Sequence, residues 1–186
     1  MRLPPPTVPR RRRSAVLLVA LVPLLAGCEP ILGSDAGASP SPFSEAGGPI
    51  AVVERVVDGD TVIVDLDGER TRVRLLNVDT PESVAEDRPV ECLGPEASEF
   101  LKDLLPEGAE VTLTYDEERV DRYDRTLAAV MTDDGRNASV ELARAGLAEA
   151  ITVGPNDRFR PDVQSAMEEA QRADRGLWDP SGPCAR

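Results

Sequence analysis

An α+β domain of five strands and three helices is predicted for this chain on three observations. Short runs rich in Val and Ile open the domain at residues 50–78. Two more such runs follow, at 110–115 and 126–131. Three stretches at helical spacing are inserted late, after the third strand.

Residues 50–57 read as the first strand and 61–66 as the second. Asp67-Gly68 is a strong hairpin signal, because a type I′ turn needs positive φ at both central positions. Residues 70–78 are the third strand, with Arg70, Arg72 and Arg74 on one side of the alternation. The domain therefore opens as a three-stranded meander. The first helix spans 95–105, with Leu93, Ala97, Phe100, Leu101, Leu104 and Leu105 as its apolar stripe. Strands four and five follow. Ser139 is read as the cap of a second helix running to about Ala145, with Gly146 after it. The third helix starts at Pro161, carries Val163, Ala166, Met167, Ala170 and Ala173 on one face, and ends at Gly176. Five such strands point to a five-stranded barrel of the oligonucleotide/oligosaccharide-binding type, an OB-fold.

Ahead of this domain, residues 1–27 have the layout of a signal peptide: Arg10 to Arg13, then an apolar run at 15–25, then Leu25-Ala26-Gly27-Cys28. The run is too short to span a bilayer as a helix. A small-residue site ending in cysteine resembles a bacterial lipobox, in which Cys28 becomes the acylated N-terminus. Ordinary secretory cleavage with an incidental cysteine is the alternative. Residues 28–49 are rich in Gly, Ser, Pro and Ala and read as a flexible tether. The folded domain is expected over 50–180, with a tail at 181–186, as a monomer on the outer side of the cell membrane.

The chain has 186 residues, a net charge of −13 and no histidine. Removing residues 1–27, which hold five arginines and no acid, leaves 16 basic and 34 acidic residues, a net charge of −18. Without histidine there is no Ser-His-Asp or Cys-His catalysis and no His-ligated metal. Acid–base work falls to carboxylates, Tyr, Lys or water, and Lys102 is the sole lysine. With Cys28 acylated, Cys92 and Cys184 remain. Export permits a disulfide between them, with two isolated thiols as the alternative.

Three segments carry candidate chemistry. Val57-Asp58-Gly59-Asp60-Thr61 places two carboxylates around a glycine where strand one turns into strand two. Arg74-Leu75-Leu76-Asn77-Val78-Asp79-Thr80-Pro81-Glu82 places an arginine on strand three and acids past its end. Asp121-Arg122-Tyr123-Asp124-Arg125 leads an arginine into strand five. Crowded carboxylates repel one another unless a cation lies between them, and oxygen donors suit Ca²⁺ or Mg²⁺. Arginine's planar fork suits phosphate oxygens. Taken singly, Asp-Gly-Asp is most often a solvated turn and Arg74 a surface charge on a strand. An EF-hand is excluded, because Val62 and Ile63 stand where an oxygen ligand and a glycine are required.

Together with Gly94-Pro95-Glu96-Ala97-Ser98-Glu99-Phe100, Ala145-Gly146-Leu147-Ala148 and the closing Gly176-Leu177-Trp178, these segments occur in one order over residues 50–178. The whole strongly resembles the staphylococcal (thermo)nuclease family. The resemblance implies a five-stranded OB barrel with three helices and Ca²⁺-dependent hydrolysis of phosphodiesters in single- and double-stranded DNA and in RNA. Cleavage of the bond to the 5′ oxygen would leave 3′-phosphate ends. Carried over by motif, Asp60, Asp79 and the Thr80 carbonyl would be Ca²⁺ ligands. Asp58 would be a nearby acid, and Glu82 would orient or deprotonate the attacking water. Arg74 and Arg125 would clamp the phosphoryl oxygens. In such a fold Cys92 and Cys184, at the outer ends of the first and last helices, could be neighbours.

Two departures stand out. The segment after Ala148 reads Glu149-Ala150-Ile151-Thr152-Val153-Gly154, where the family prototype has nucleotide-binding tyrosines. Asp124 replaces the usual glycine before the second arginine. Tyr123 is retained and reads either as a stacking platform for substrate or as a core residue. The competing functional readings are a non-catalytic nucleic-acid-binding module on the same barrel and a surface lipoprotein with a purely structural Ca²⁺ site.

Overall fold

The computed structural model describes residues 47–83 and 89–185. The expected leader and Cys28, and the expected tether up to residue 46, lie outside the described residues. The elements run β1 (Ile50–Val56), β2 (Thr61–Leu66), β3 (Glu69–Leu75), β4 (Val78–Asp79), α1 (Gly94–Leu104), β5 (Glu110–Thr114), β6 (Thr126–Thr132), α2 (Ala138–Arg144), β7 (Glu149–Ala150) and α3 (Arg160–Arg172), with a 3-10 turn at Gly176–Trp178.

Five of the strands close into a barrel in the order β1-β2-β3-β6-β5. All its contacts are antiparallel except β3 against β6, where Val73, Arg74 and Leu75 lie opposite Thr126, Leu127 and Ala128. The predicted OB-fold barrel with three helices is the one observed. Asp67 and Gly68 both have positive φ, 55° and 83°, as the hairpin between β2 and β3 requires. Inward-facing Ala51, Val53, Val62, Val64, Val73, Leu113, Ala128 and Val130 fill the barrel, and Leu101 and Leu105 of α1 belong to the same core. A register shift between Val53 and Arg55 brings Val56 inward and leaves Arg55 exposed.

The structure corrects the reading in three places. The third strand stops at Leu75 rather than continuing to Val78. Asn77 takes a positive φ of 60°, which few side chains tolerate, and this kink sends the chain into the separate strand β4. Strand β4 pairs with β7, Val78 opposite Ala150 and Asp79 opposite Glu149. Strands this short leave no alternation to read. Second, Ser139 is not the cap of α2. Asn137 is, accepting a hydrogen bond from the Ser139 N–H at 3.0 Å. Ser139 is buried and donates its hydroxyl to the Leu76 carbonyl at 2.8 Å, tying α2 to the kink. Third, Arg70, Arg72 and Arg74 do not share an environment: Arg70 and Arg72 are exposed, whereas Arg74 is buried.

Cys92 and Cys184 form the expected disulfide, with Cα atoms 5.7 Å apart across 92 residues of sequence. The bridge ties the segment before α1 to the C-terminal tail. Its reduction is expected to cost about 2–4 kcal/mol, since it closes a long loop. Thermal unfolding with and without reductant measures this, and coincident curves would contradict it.

Candidate active site

The kink after β3 organises one mouth of the barrel. Asn77 Nδ2 donates to the carbonyls of Asn156, at 2.8 Å, and Ile151, at 3.2 Å. Arg74 staples the same kink from the barrel side. Its Nη1 donates to the Leu75 carbonyl at 2.7 Å and to the Val78 carbonyl at 2.8 Å, so one nitrogen spans the turn. Its Nη2 lies 2.9 Å from Asp60 Oδ2 and 3.2 Å from Asp79 Oδ1. One guanidinium thus fixes the turn and draws together two carboxylates, one from the loop between β1 and β2 and one from β4. Arg74 is 7% exposed and Asp60 9% exposed, so the pair is shielded from water and salt.

The loop between β1 and β2 delivers the acids. The Asp60 N–H donates to Asp58 Oδ1 at 3.1 Å, and the Thr61 hydroxyl donates to Asp60 Oδ1 at 3.0 Å. Gly59 is required by close approach. A Cβ there would meet Thr80 Oγ1 at 2.5 Å and the Ala97 Cβ at 2.9 Å. Glycine therefore lets the acidic turn lie against Thr80 and α1.

Arg125 arrives on the turn before β6, and Asp121 builds that turn. Asp121 Oδ1 accepts from the N–H groups of Tyr123 and Arg125, each at 2.9 Å, while Oδ2 pairs with Arg125 Nε at 2.7 Å. Partial burial works against the Asp121 carboxylate, but the hydrogen bonds from Arg125 and Tyr123 prevail and hold its pKa below the usual range. Asp124 has a positive φ of 61°, which explains why glycine suits this position and why Asp, one of the more tolerant residues, can replace it. Tyr123 is 64% exposed, so it is not a core residue. The Arg122 and Arg125 guanidinium carbons lie 4.7 and 5.5 Å from its ring centre.

Asp58, Asp60, Arg74, Asp79, Thr80, Glu82 and Arg125 all line one cleft of about 220 Å³, together with Pro81. Tyr123 lies outside that lining, beside Arg125. A larger groove of about 800 Å³ shares Asp79, Thr80 and Pro81 with the cleft. Glu91, Glu149 and Asp179 also line it, and among the described residues no arginine or lysine does. The supporting roles of Asn77, Asp121, Ser139 and Asn156 went unread in the sequence. Only the Asn and Asp types, which favour turns and tolerate positive φ, hint at three of them.

Burial pushes Asp60 up to about 6; Arg74 opposes the rise, and Asp58 and Asp79 add to it. The cleft holds four acids, Asp58, Asp60, Asp79 and Glu82, against two arginines, so it is short of positive charge. Its donors are all oxygens, which fits a hard divalent cation. Among the described residues no three acidic or cysteine side chains converge as a ready-made metal cage. A cation there needs carbonyl and water ligands beside the carboxylates, which Ca²⁺ and Mg²⁺ both accept.

A closed five-stranded barrel with carboxylates and arginines focused on one mouth defines a nuclease of the thermonuclease type, a hydrolase. The family model described as "Staphylococcal nuclease homologue" matches residues 72–180. A thermonuclease of Staphylococcus intermedius is 45% identical over 128 residues, covering 69% of this chain and 75% of that protein. A thermonuclease of Staphylococcus hyicus is 42% identical over 127 residues, covering 68% and 73%. The endonuclease YncB of Bacillus subtilis (strain 168) is 34% identical over 132 residues, covering 70% and 62%. The chain belongs to the staphylococcal nuclease family.

The raised pKa of Asp60 has a stability consequence of definite sign. Without a cation, the folded protein holds a proton on Asp60 up to about pH 6, whereas the unfolded chain releases it near the ordinary value of 3.8. Stability from this group is full below that value and is lost as pH rises towards 6. In chelator, Asp60→Asn is therefore expected to gain stability relative to the natural protein between about pH 4 and pH 6. Urea titrations across that range measure the gap, and a gap independent of pH would refute the assignment.

Proposed function

We propose that this chain is a Ca²⁺-dependent phosphodiesterase acting on DNA and RNA, with the cleft between β1–β2, β3–β4 and the turn before β6 as its active site. The observation that carries the reading is the convergence of Asp60, Asp79, Glu82, Arg74 and Arg125 on one cleft from three separate segments. A binding module has no need of Glu82, and a structural cation site has no need of two arginines.

Asp60, Asp79 and the Thr80 carbonyl are the groups proposed to hold the cation. Bound there, Ca²⁺ would supply positive charge against the developing phosphorane-like oxyanion. Arg125 presents its guanidinium to the non-bridging oxygens, held in place by Asp121 behind it. Arg74 already spans the two carboxylates, so it would sit beside the same phosphoryl group and offset its charge. Glu82 takes the proton from the attacking water, a role open to a carboxylate at neutral pH. The family resemblance supports cleavage at the 5′ oxygen with 3′-phosphate products. Substrate approaches from the side of Tyr123 and Arg122, because the neighbouring groove is acidic. Tyr123, with an exposed ring, is the stacking surface on that side.

The same reading places the protein outside the cytoplasm, lipid-anchored through Cys28 and acting as a monomer. The Cys92–Cys184 bridge supports export, since structural disulfides persist in oxidising compartments.

Digestion of single- and double-stranded DNA and RNA is the test. Activity is expected with Ca²⁺ and is expected to be lost in excess chelator. Glu82→Gln and Arg125→Ala should each lower kcat about 10²–10⁴-fold with thermal unfolding little changed. Undiminished cleavage in chelator would overturn the metal requirement. Nucleic-acid retention without cleavage in every metal would favour the binding module.

A further inference from the structure

Glu82 lies three residues beyond β4, outside the barrel ladder. Two other parts of the chain hold its backbone. The Glu82 N–H donates to Glu91 Oε2 at 3.0 Å, and the Glu91 N–H donates to the Glu82 carbonyl at 2.8 Å. One residue thus engages both polar groups of the Glu82 backbone. Gly94, the first residue of α1, closes in on the same carbonyl: a Cβ there would lie 2.4 Å from it. The Gly94 N–H donates to the Glu91 carbonyl at 3.1 Å, so Glu91 is continuous with the start of the helix. Its neighbour Cys92 is bonded to Cys184 in the C-terminal tail.

We propose that Glu91 is a positioning residue for Glu82, and that the Cys92–Cys184 disulfide anchors Glu91 for this purpose. The proposal rests on Glu82 being the general base. A general base must stand within about 3 Å of the proton that it removes. Displacing a reacting group by about 1 Å can cost a hundredfold in rate. Glu82 is carried by a short connection after β4, and a shift of its backbone would carry its carboxylate with it. Glu91 supplies what β4 does not, a reciprocal pair of hydrogen bonds three residues ahead of a helix. Its side chain is exposed, so this contact contributes little to global stability. Positional and structural roles are therefore separable by experiment. The disulfide carries the restraint further, because it joins the residue after Glu91 to a tail 92 positions away in sequence.

The test measures kcat, KM and thermal unfolding for Glu91→Ala, Glu91→Gln, Glu82→Ala, the double variant of Glu82→Ala with Glu91→Ala, and a disulfide-free protein carrying Cys92→Ser and Cys184→Ser. Glu91→Ala is expected to lower kcat about ten- to a hundredfold, with KM and melting temperature near those of the natural protein. Glu91→Gln should recover most of the rate, because its amide oxygen still accepts from the Glu82 N–H. In the Glu82→Ala background, Glu91→Ala should cost nothing more, since a positioning residue acts only through its client. The disulfide-free protein, assayed well below its own melting temperature, should lose kcat to a similar extent. If Glu91→Ala keeps kcat within twofold while Glu82→Ala is inactive, the positioning role is wrong and the base assignment stands. If Glu82→Ala is itself fully active, the base assignment fails and the positioning role fails with it. Additive losses in the double variant would also overturn the proposal, as would a loss in Glu91→Ala that Glu91→Gln does not recover.

Discussion

The buried guanidinium of Arg74 is the constraint on which the rest of the site depends. Its Nη1 bonds the carbonyls on either side of the Leu76-Asn77 turn, and its Nη2 reaches the carboxylates of Asp60 and Asp79. The first pair of contacts ends β3 and starts β4. The second pair decides which acids face each other. Lysine would not serve: an ammonium is a point charge, whereas this geometry uses two nitrogens of a rigid fork in different directions. Removing one member of so buried an ion pair leaves an uncompensated charge, which costs more than the pair contributes when intact. Fold and chemistry therefore meet in one side chain. The kink has two more supports, Ser139 from α2 and Asn77 through Asn156, so this mouth of the barrel is braced from three parts of the chain.

A net charge of −13 is unusual for a protein proposed to act on a polyanion. No overall basic field draws substrate in, in contrast to the usual footprint of nucleic-acid binding. The positive charge is local. Arg74 and Arg125 line the cleft, Arg122 stacks on Tyr123 nearby, and a bound cation would add the rest. The groove on the other side carries Asp79, Glu91, Glu149 and Asp179. Such a site favours short-range capture over long-range steering, so salt should weaken binding less steeply than it does for a basic nuclease.

The barrel was legible because its strands are short runs rich in Val and Ile and its hairpin carries Asp-Gly. The acids and arginines of the cleft were legible because they fall at strand ends in three recognisable segments. What stayed hidden depends on backbone geometry. Asn77 reads as one more strand residue until its positive φ is seen, and β4 with β7 offers only two residues a side. Ser139 looks like a cap one turn of logic too late, because Asn137 takes that role and frees the hydroxyl for Leu76. Glu91 carries no signal at all, since its meaning comes from a contact with Glu82, nine positions earlier in the chain. Gly59 and Gly94 look like ordinary turn glycines, yet each is set by the backbone or side chain that a Cβ would strike.

Its burial beside Arg74 makes Asp60 the carboxylate that the proposed cation would have to ionise. Calorimetric titration of Ca²⁺ into the protein near pH 6, in two buffers of different ionisation enthalpy, tests it most directly. With Asp60 titrating at about 6, binding should release roughly half a proton per Ca²⁺, and almost none at pH 8. Asp60→Asn should bind far more weakly and release none. Equal affinity in Asp60→Asn, or no proton release near pH 6 in the natural protein, would contradict the account.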